Sequence, residues 1–219
     1  MTRKINIAID GPAAAGKSTI SKHVARHFNY IYIDTGAMYR AVTLHTLKNG
    51  METLDNLSEL SIRLTPLPDQ KVFINDLDVT DKIRSTEVNQ NVSRVSSLEI
   101  VRTHLVRMQR EIAQHKGVVM DGRDIGTTVL PDSELKIFMS ASPEVRAERR
   151  FIEEQAKGVN IDIKSLTEQI RSRDEQDINR TLSPLRQAED AIFLDTSYMT
   201  IEEVQDKIIE LAHEKMEGE

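Results

Sequence analysis

Gly11-Pro12-Ala13-Ala14-Ala15-Gly16-Lys17-Ser18 is a run of small residues between two glycines, closed by a lysine and a hydroxyl. It matches G-x-x-x-x-G-K-[ST] at every fixed position. Small residues let successive backbone N–H groups curl around phosphate oxygens, and a helix opening behind them adds the positive end of its dipole. Lys17 then reaches the β- and γ-phosphates of a bound nucleoside triphosphate, Ser18 offers its hydroxyl to Mg²⁺, and Thr19 follows. The flanks agree. Ile5, Ile7 and Ile9 alternate as in a strand, and Ile20, Val24 and Phe28 recur at helical spacing. Strand, glycine-rich loop and helix are the context that phosphate binding needs.

Beyond the loop, apolar runs alternate with helical stripes. Ile31–Asp34 reads as a second strand and Tyr39–Leu47 as a second helix, stopped by Asn49-Gly50. Ile62–Leu64, Val72–Ile74 and Leu77–Val79 are short β-like pieces between turn signals, the pattern of a small antiparallel insertion. Ser96-Ser97-Leu98-Glu99 offers a capping box for a long helix with Leu98, Val101, Leu105, Met108 and Ile112 on one face, ending at Gly117. Val118–Asp121, Leu135–Met139 and Ala191–Asp195 complete the strands. Ser142-Pro143-Glu144, Ile163–Gln176 and Thr200-Ile201-Glu202-Glu203 mark further helices. Strands separated by helices predict a three-layer α/β domain around a parallel sheet, here a P-loop NTPase fold.

At 219 residues the chain suits one such domain with a small insertion. A net charge of -6 argues against general nucleic-acid binding, which draws its affinity from phosphate neutralisation. With no Cys there is no disulfide, thiolate nucleophile or Cys-ligated zinc, and a reducing compartment is expected. No apolar run approaches the roughly 18 residues of a membrane span. A cytoplasmic monomer without membrane or nucleic-acid partners is the expectation. His23 and His27 have the i, i+4 spacing of metal ligands but lack the intervening Glu of H-E-x-x-H, and read as surface histidines.

Two further loops sit beyond strand ends, where ligands bind in open parallel sheets. One is Asp34-Thr35-Gly36-Ala37-Met38-Tyr39-Arg40 and the other Asp121-Gly122-Arg123-Asp124, each presenting an arginine fork suited to phosphate. With Glu148-Arg149-Arg150, Arg173-Asp174 through Ser183-Pro184-Leu185, and Ala188-Glu189-Asp190-Ala191 through Leu194-Asp195-Thr196, these stretches resemble bacterial cytidylate kinases over nearly the whole chain. The resemblance implies a core of residues 1–34, 93–145 and 164–219. It also implies a monophosphate-binding region at 35–92, with a β insertion at about 60–82, and a helical lid at 146–163.

For the site, the resemblance implies ATP on Gly11 to Thr19 and CMP or dCMP as phosphoryl acceptor. Arg40, Arg123 and Arg180 would bind the acceptor phosphate, with Lys17, Arg123 and Arg180 as the catalytic charges. Ser93, Arg102 and Asp124 would read cytosine, with Thr35, Tyr39 and Asp177 near phosphate and sugar. Either Arg149 or Arg150 would contact donor phosphates, while Arg146 is read as solvated. Asp34 and Asp121 are candidates to orient magnesium-bound water, or simply to cap strand ends. Cytosine presents an amino donor beside two acceptors, so an aspartate accepts from the first while Arg or Ser donates to the others. A kinase for UMP, AMP or shikimate, or an ATP-dependent binding module, are the alternatives.

Overall fold

The computed structural model describes residues 3–156, 158, 159 and 161–218. Met1, Thr2, Glu219 and, within the expected lid, Lys157 and Asn160 lie outside them. Five parallel strands form the central sheet: β1 (Asn6–Asp10), β2 (Ile31–Asp34), β6 (Val118–Gly122), β7 (Leu135–Ser140) and β8 (Ile192–Asp195). Their spatial order is β2-β6-β1-β7-β8. The register pairs Asp10 with Gly122 on one side and with Phe138 on the other. The chain leaves β1 toward one edge and β7 toward the other, so a topological switch point lies beside the β1 carboxyl end.

Strand alternation explains why the central strands read as continuous apolar runs. Ile5, Ile7 and Ile9 pack under α1 (Lys17–Phe28) and α7 (Ile201–Glu217), together with Ile20, Val24, Val204 and Ile208. Ala8, Met120 and Ile33 face the other way, into a core with Met38, Val42, Val101 and Leu105. Those come from α2 (Thr35–Asn49) and α4 (Glu99–Ala113). The insertion is a three-stranded antiparallel sheet of β3 (Ile62–Leu64), β4 (Val72–Ile74) and β5 (Leu77–Asp78). Its Ile62 and Val72 join the α2 side of the core. Gln70 ties it to β2 through the Tyr32 carbonyl at 2.9 Å. The insertion thus braces the helix that carries Tyr39 and Arg40.

Two local expectations are corrected. The helix expected at Tyr39 begins at Thr35, because the Asp34 carboxylate caps it by accepting from the Ala37 N–H at 2.8 Å. No capping box forms over Ser96–Glu99: these serines close an unforeseen helix, α3 (Thr86–Ser96), and Leu98 leads α4 without a side-chain cap. The helix beginning at Pro143, α5 (Pro143–Ala156), and the following α6 (Ile163–Asn179) lie close to their expected positions. No helix among the described residues is long and apolar enough to cross a membrane.

Candidate active site

Gly11 leaves β1 with φ 151°, and a Cβ there would collide with the Met139 carbonyl, so the loop closes tightly against β7. Gly16 takes the left-handed conformation and no side chain caps α1. The first N–H groups of that helix therefore stay available to an anion. Lys17 is only 5% exposed, and its Nζ donates to the Pro12 carbonyl at 2.7 Å, holding it across the loop. Burial, reinforced by the Arg123 charge, pulls its pKa well down.

Ser18 donates to one oxygen of Asp121 at 2.9 Å, and Tyr32 donates to the other at 2.8 Å. Burial, then the nearby Asp34 charge, pushes Asp121 up to about 6. Asp34 itself is committed to capping α2 and lies 3.7 Å from Arg84. Mg²⁺ takes oxygen ligands, keeps several waters and is held by one or two protein groups beside substrate phosphates. The Ser18 hydroxyl with Asp121 behind it fits that donor set. Thr35 donates to the Asp121 carbonyl at 2.7 Å and fastens α2 to β6.

The three arginines of α5 reverse one expectation. Arg146, read as solvated, is 3% exposed. It donates to the Ala13 carbonyl of the phosphate loop at 2.9 Å, to Ala141 at 2.8 Å and to Asp174 of α6 at 2.6 Å. Helical spacing shows that three arginines lie near one face; it does not show that a loop carbonyl waits opposite the first. Arg149 instead grips the Thr196 carbonyl at 2.6 Å, and Arg150 pairs with Glu154 at 2.8 Å. Arg146→Ala would take a buried guanidinium away from the half-buried Asp174 and from two carbonyls, and is expected to cost about 3 kcal/mol. In a chain this size that is a fall of roughly 6–12 °C in thermal midpoint, readable by calorimetry.

Facing the phosphate loop, guanidinium groups converge. Arg40 rises from α2, Arg123 leaves the end of β6, and Arg173 and Arg180 come from α6 and its C-cap. Burial and then the Arg123 and Arg40 charges push Arg173 down to about 9. Burial lowers Arg40 too, with Arg84, Arg123 and Arg150 adding to it. Asp177 answers Arg123 at 2.8 Å, but the Arg173 Nε is buried without a hydrogen-bond partner. Such mutual repulsion marks a place built for a multiply charged anion.

Beside this cluster Asp124 is buried between two arginines. It is in close contact with Arg102, and Arg180 lies 3.5 Å away. Arg102 also lies over the Tyr39 ring, 5.5 Å from its centroid. Burial raises the Tyr39 hydroxyl to about 12 and leaves it unpartnered. Ser93 is half-buried on α3, and among the described residues its side chain bonds neither to Asp124 nor to Arg102.

A sequence model of the cytidylate kinase family matches residues 7–214. The chain belongs to the cytidylate kinase family. A cytidylate kinase of Exiguobacterium sibiricum is 53% identical over 218 residues, covering 96% of this chain and 97% of the relative. One of Caldicellulosiruptor bescii is 51% identical over 225 residues, covering 99% of each. Among solved structures, a gluconokinase from Sinorhizobium meliloti 1021 shares the fold with a TM-score of 0.51 at 15% identity, covering 98% of this chain and 96% of its own. A shikimate kinase from Acinetobacter baumannii in complex with shikimate gives 0.50 at 15%, covering 97% and 94%.

In this cytidylate kinase family member, two residues of the site, Arg173 and Tyr32, and one beside it, Asp10, are not picked out by the sequence reading. Arg173 shares a face of α6 with Asp177 and Arg180 at i, i+4 and i+7, a spacing that could have revealed it. Tyr32 lies in an apolar strand, where its hydroxyl gave no signal. Asp10 ends β1, and its partners lie more than a hundred residues away.

Proposed function

We propose that this chain transfers the γ-phosphoryl group of ATP to CMP or dCMP, giving ADP and CDP or dCDP. The observation that carries the reading is the pairing of a phosphate loop with a second, under-compensated arginine cluster, flanked by a buried carboxylate shaped to read a base. ATP lies along Gly11 to Thr19. The acceptor phosphate lies among Arg40, Arg123, Arg173 and Arg180, with Asp177 toward the ribose, and cytosine meets Asp124 and Arg102. Tyr39 walls the nucleoside, and Ser93 completes the base contacts.

An oxygen of the acceptor phosphate attacks the γ-phosphorus as the bond to the β-phosphate oxygen breaks. The second pKa of a phosphate monoester is about 6, so the nucleophile is already ionised at neutral pH and needs no general base. Catalysis is then alignment and charge stabilisation. Lys17, Arg123 and Arg180 are prepositioned for it by the contacts described above. When bound, Mg²⁺ supplies charge neutralisation at the transferring phosphates; Ser18 would hold it directly and Asp121 through water. Residues 146–163, starting within α5, act as a lid that excludes water, with Arg146 already fixed on the loop. The enzyme works as a cytoplasmic monomer.

Coupled ADP release with CMP, dCMP, UMP, AMP and GMP tests the assignment. CMP and dCMP should turn over with kcat/KM at least about 100-fold above UMP, because uracil leaves buried polar groups unpaired. A strong AMP response without a CMP response would sink the reading. Slow ATP turnover indifferent to every monophosphate would make the chain a binding module instead.

A further inference from the structure

Asp10 takes no part in the site as described, yet it is one of the most enclosed charged residues, 5% exposed at the end of β1. Its two carboxylate oxygens accept from the Ile125 N–H at 2.8 Å and the Gly126 N–H at 2.7 Å. These are the first N–H groups of the short helical turn Ile125–Val129, which follows directly on Arg123 and Asp124. Inside the turn, Thr128 and Val129 donate to the Asp124 carbonyl and Leu130 to that of Ile125. At its far end the exposed Arg110 of α4 donates to the Thr128 carbonyl at 2.7 Å and the Val129 carbonyl at 3.0 Å.

The turn is thus held at both ends by groups distant in sequence. A carboxylate sits on its free N–H groups and a guanidinium on its free carbonyls, the charge order that a helical dipole favours. Asp10 directly precedes Gly11, which opens the phosphate loop, and one residue separates Asp124 from Gly126. We propose that Asp10 and Arg110 are positioning residues that clamp this turn. They fix Arg123 and Asp124 relative to the phosphate loop, and so set acceptor affinity and base selectivity without touching either substrate. The inference rests on the assignment of Asp124 to the base and Arg123 to the acceptor phosphate.

Asp10→Asn keeps the shape but turns an NH₂ toward one of the two N–H donors, so one end of the clamp fails. KM for CMP should rise about tenfold or more, as expected when reacting groups shift by a fraction of an ångström. The CMP-to-UMP ratio should fall with it, while the Kd for ATP measured without acceptor stays within about twofold, the loop itself keeping its bonds. Arg110→Met, on the surface, should act in the same direction by about threefold, the value of one modest hydrogen bond. It decides the matter if Asp10→Asn does not fold. Amide exchange at Ile125 and Gly126 should quicken in Asp10→Asn with no nucleotide present, a readout that stands even if wild-type enzyme prefers another acceptor. Unchanged exchange and CMP affinity in both variants, or equal losses for ATP and CMP, would overturn the proposal.

Discussion

Lys17→Met is expected to lower kcat/KM by about 10³-fold, the upper range for removing one preorganised donor from a developing negative charge. The side chain is held before substrate arrives, its Nζ on the Pro12 carbonyl at 2.7 Å and its stem buried at the start of α1. No reorganisation is then needed at the moment of transfer. Burial already disfavours its charge, with Arg123 adding to the penalty and Asp121 opposing it. Removing the ammonium therefore relieves a cost as well as a bond, and the thermal midpoint should move by only a few degrees. That is about 1 kcal/mol at roughly 2–4 °C each. Lys17→Arg should not restore activity, because a planar fork does not fit where a compact ammonium reaches a carbonyl inside the loop. Steady-state ADP release with saturating CMP checks both variants; a loss under tenfold for Lys17→Met would show that its charge is not needed for transfer.

The parts of this molecule that could be read in advance are those whose physics is local. The phosphate loop is one backbone device in eight consecutive residues, and its helix appears where the sequence places it, at Lys17–Phe28. The insertion was legible because turn residues separate its short strands. Misreadings arose where a partner comes from elsewhere. One misreading was itself local: Gly36 suggests a loop, yet the Asp34 cap starts α2 ahead of it. Arg146 looks like a solvated member of a basic face until Ala13 and Asp174 are folded onto it. Arg173 and Asp10 are single charged letters in sequence, and their meaning comes from burial beside Arg123 and beside the turn after Asp124.

Asp124→Asn is expected to cost about 10³-fold in kcat/KM for CMP and to erase most of the preference over UMP. The wild-type carboxylate meets Arg102 and lies 3.5 Å from Arg180, both guanidiniums being almost fully enclosed. It is the only carboxylate paired to Arg102 among the described residues, and its loss leaves a buried positive pair without compensation. Breaking a buried hydrogen-bonded charge pair costs about 2–5 kcal/mol, which reads as a factor of roughly 30 to several thousand. Recognition adds to this. A carboxylate accepts from the cytosine amino group, whereas the Asn amide turned either way loses a bond to that group or to an arginine. The same amide donates to the carbonyl that uracil carries at that position, so UMP should suffer less. A folding defect alone would also lower activity, and the buried pair predicts a fall of about 10 °C in midpoint. ATP affinity measured well below that midpoint separates the two effects. The phosphate loop does not touch Asp124 through any side-chain bond of the described residues, so the Kd for ATP should stay within about twofold, the scatter expected for independent sites. Parallel losses of ATP and CMP binding would instead assign Asp124 to the scaffold.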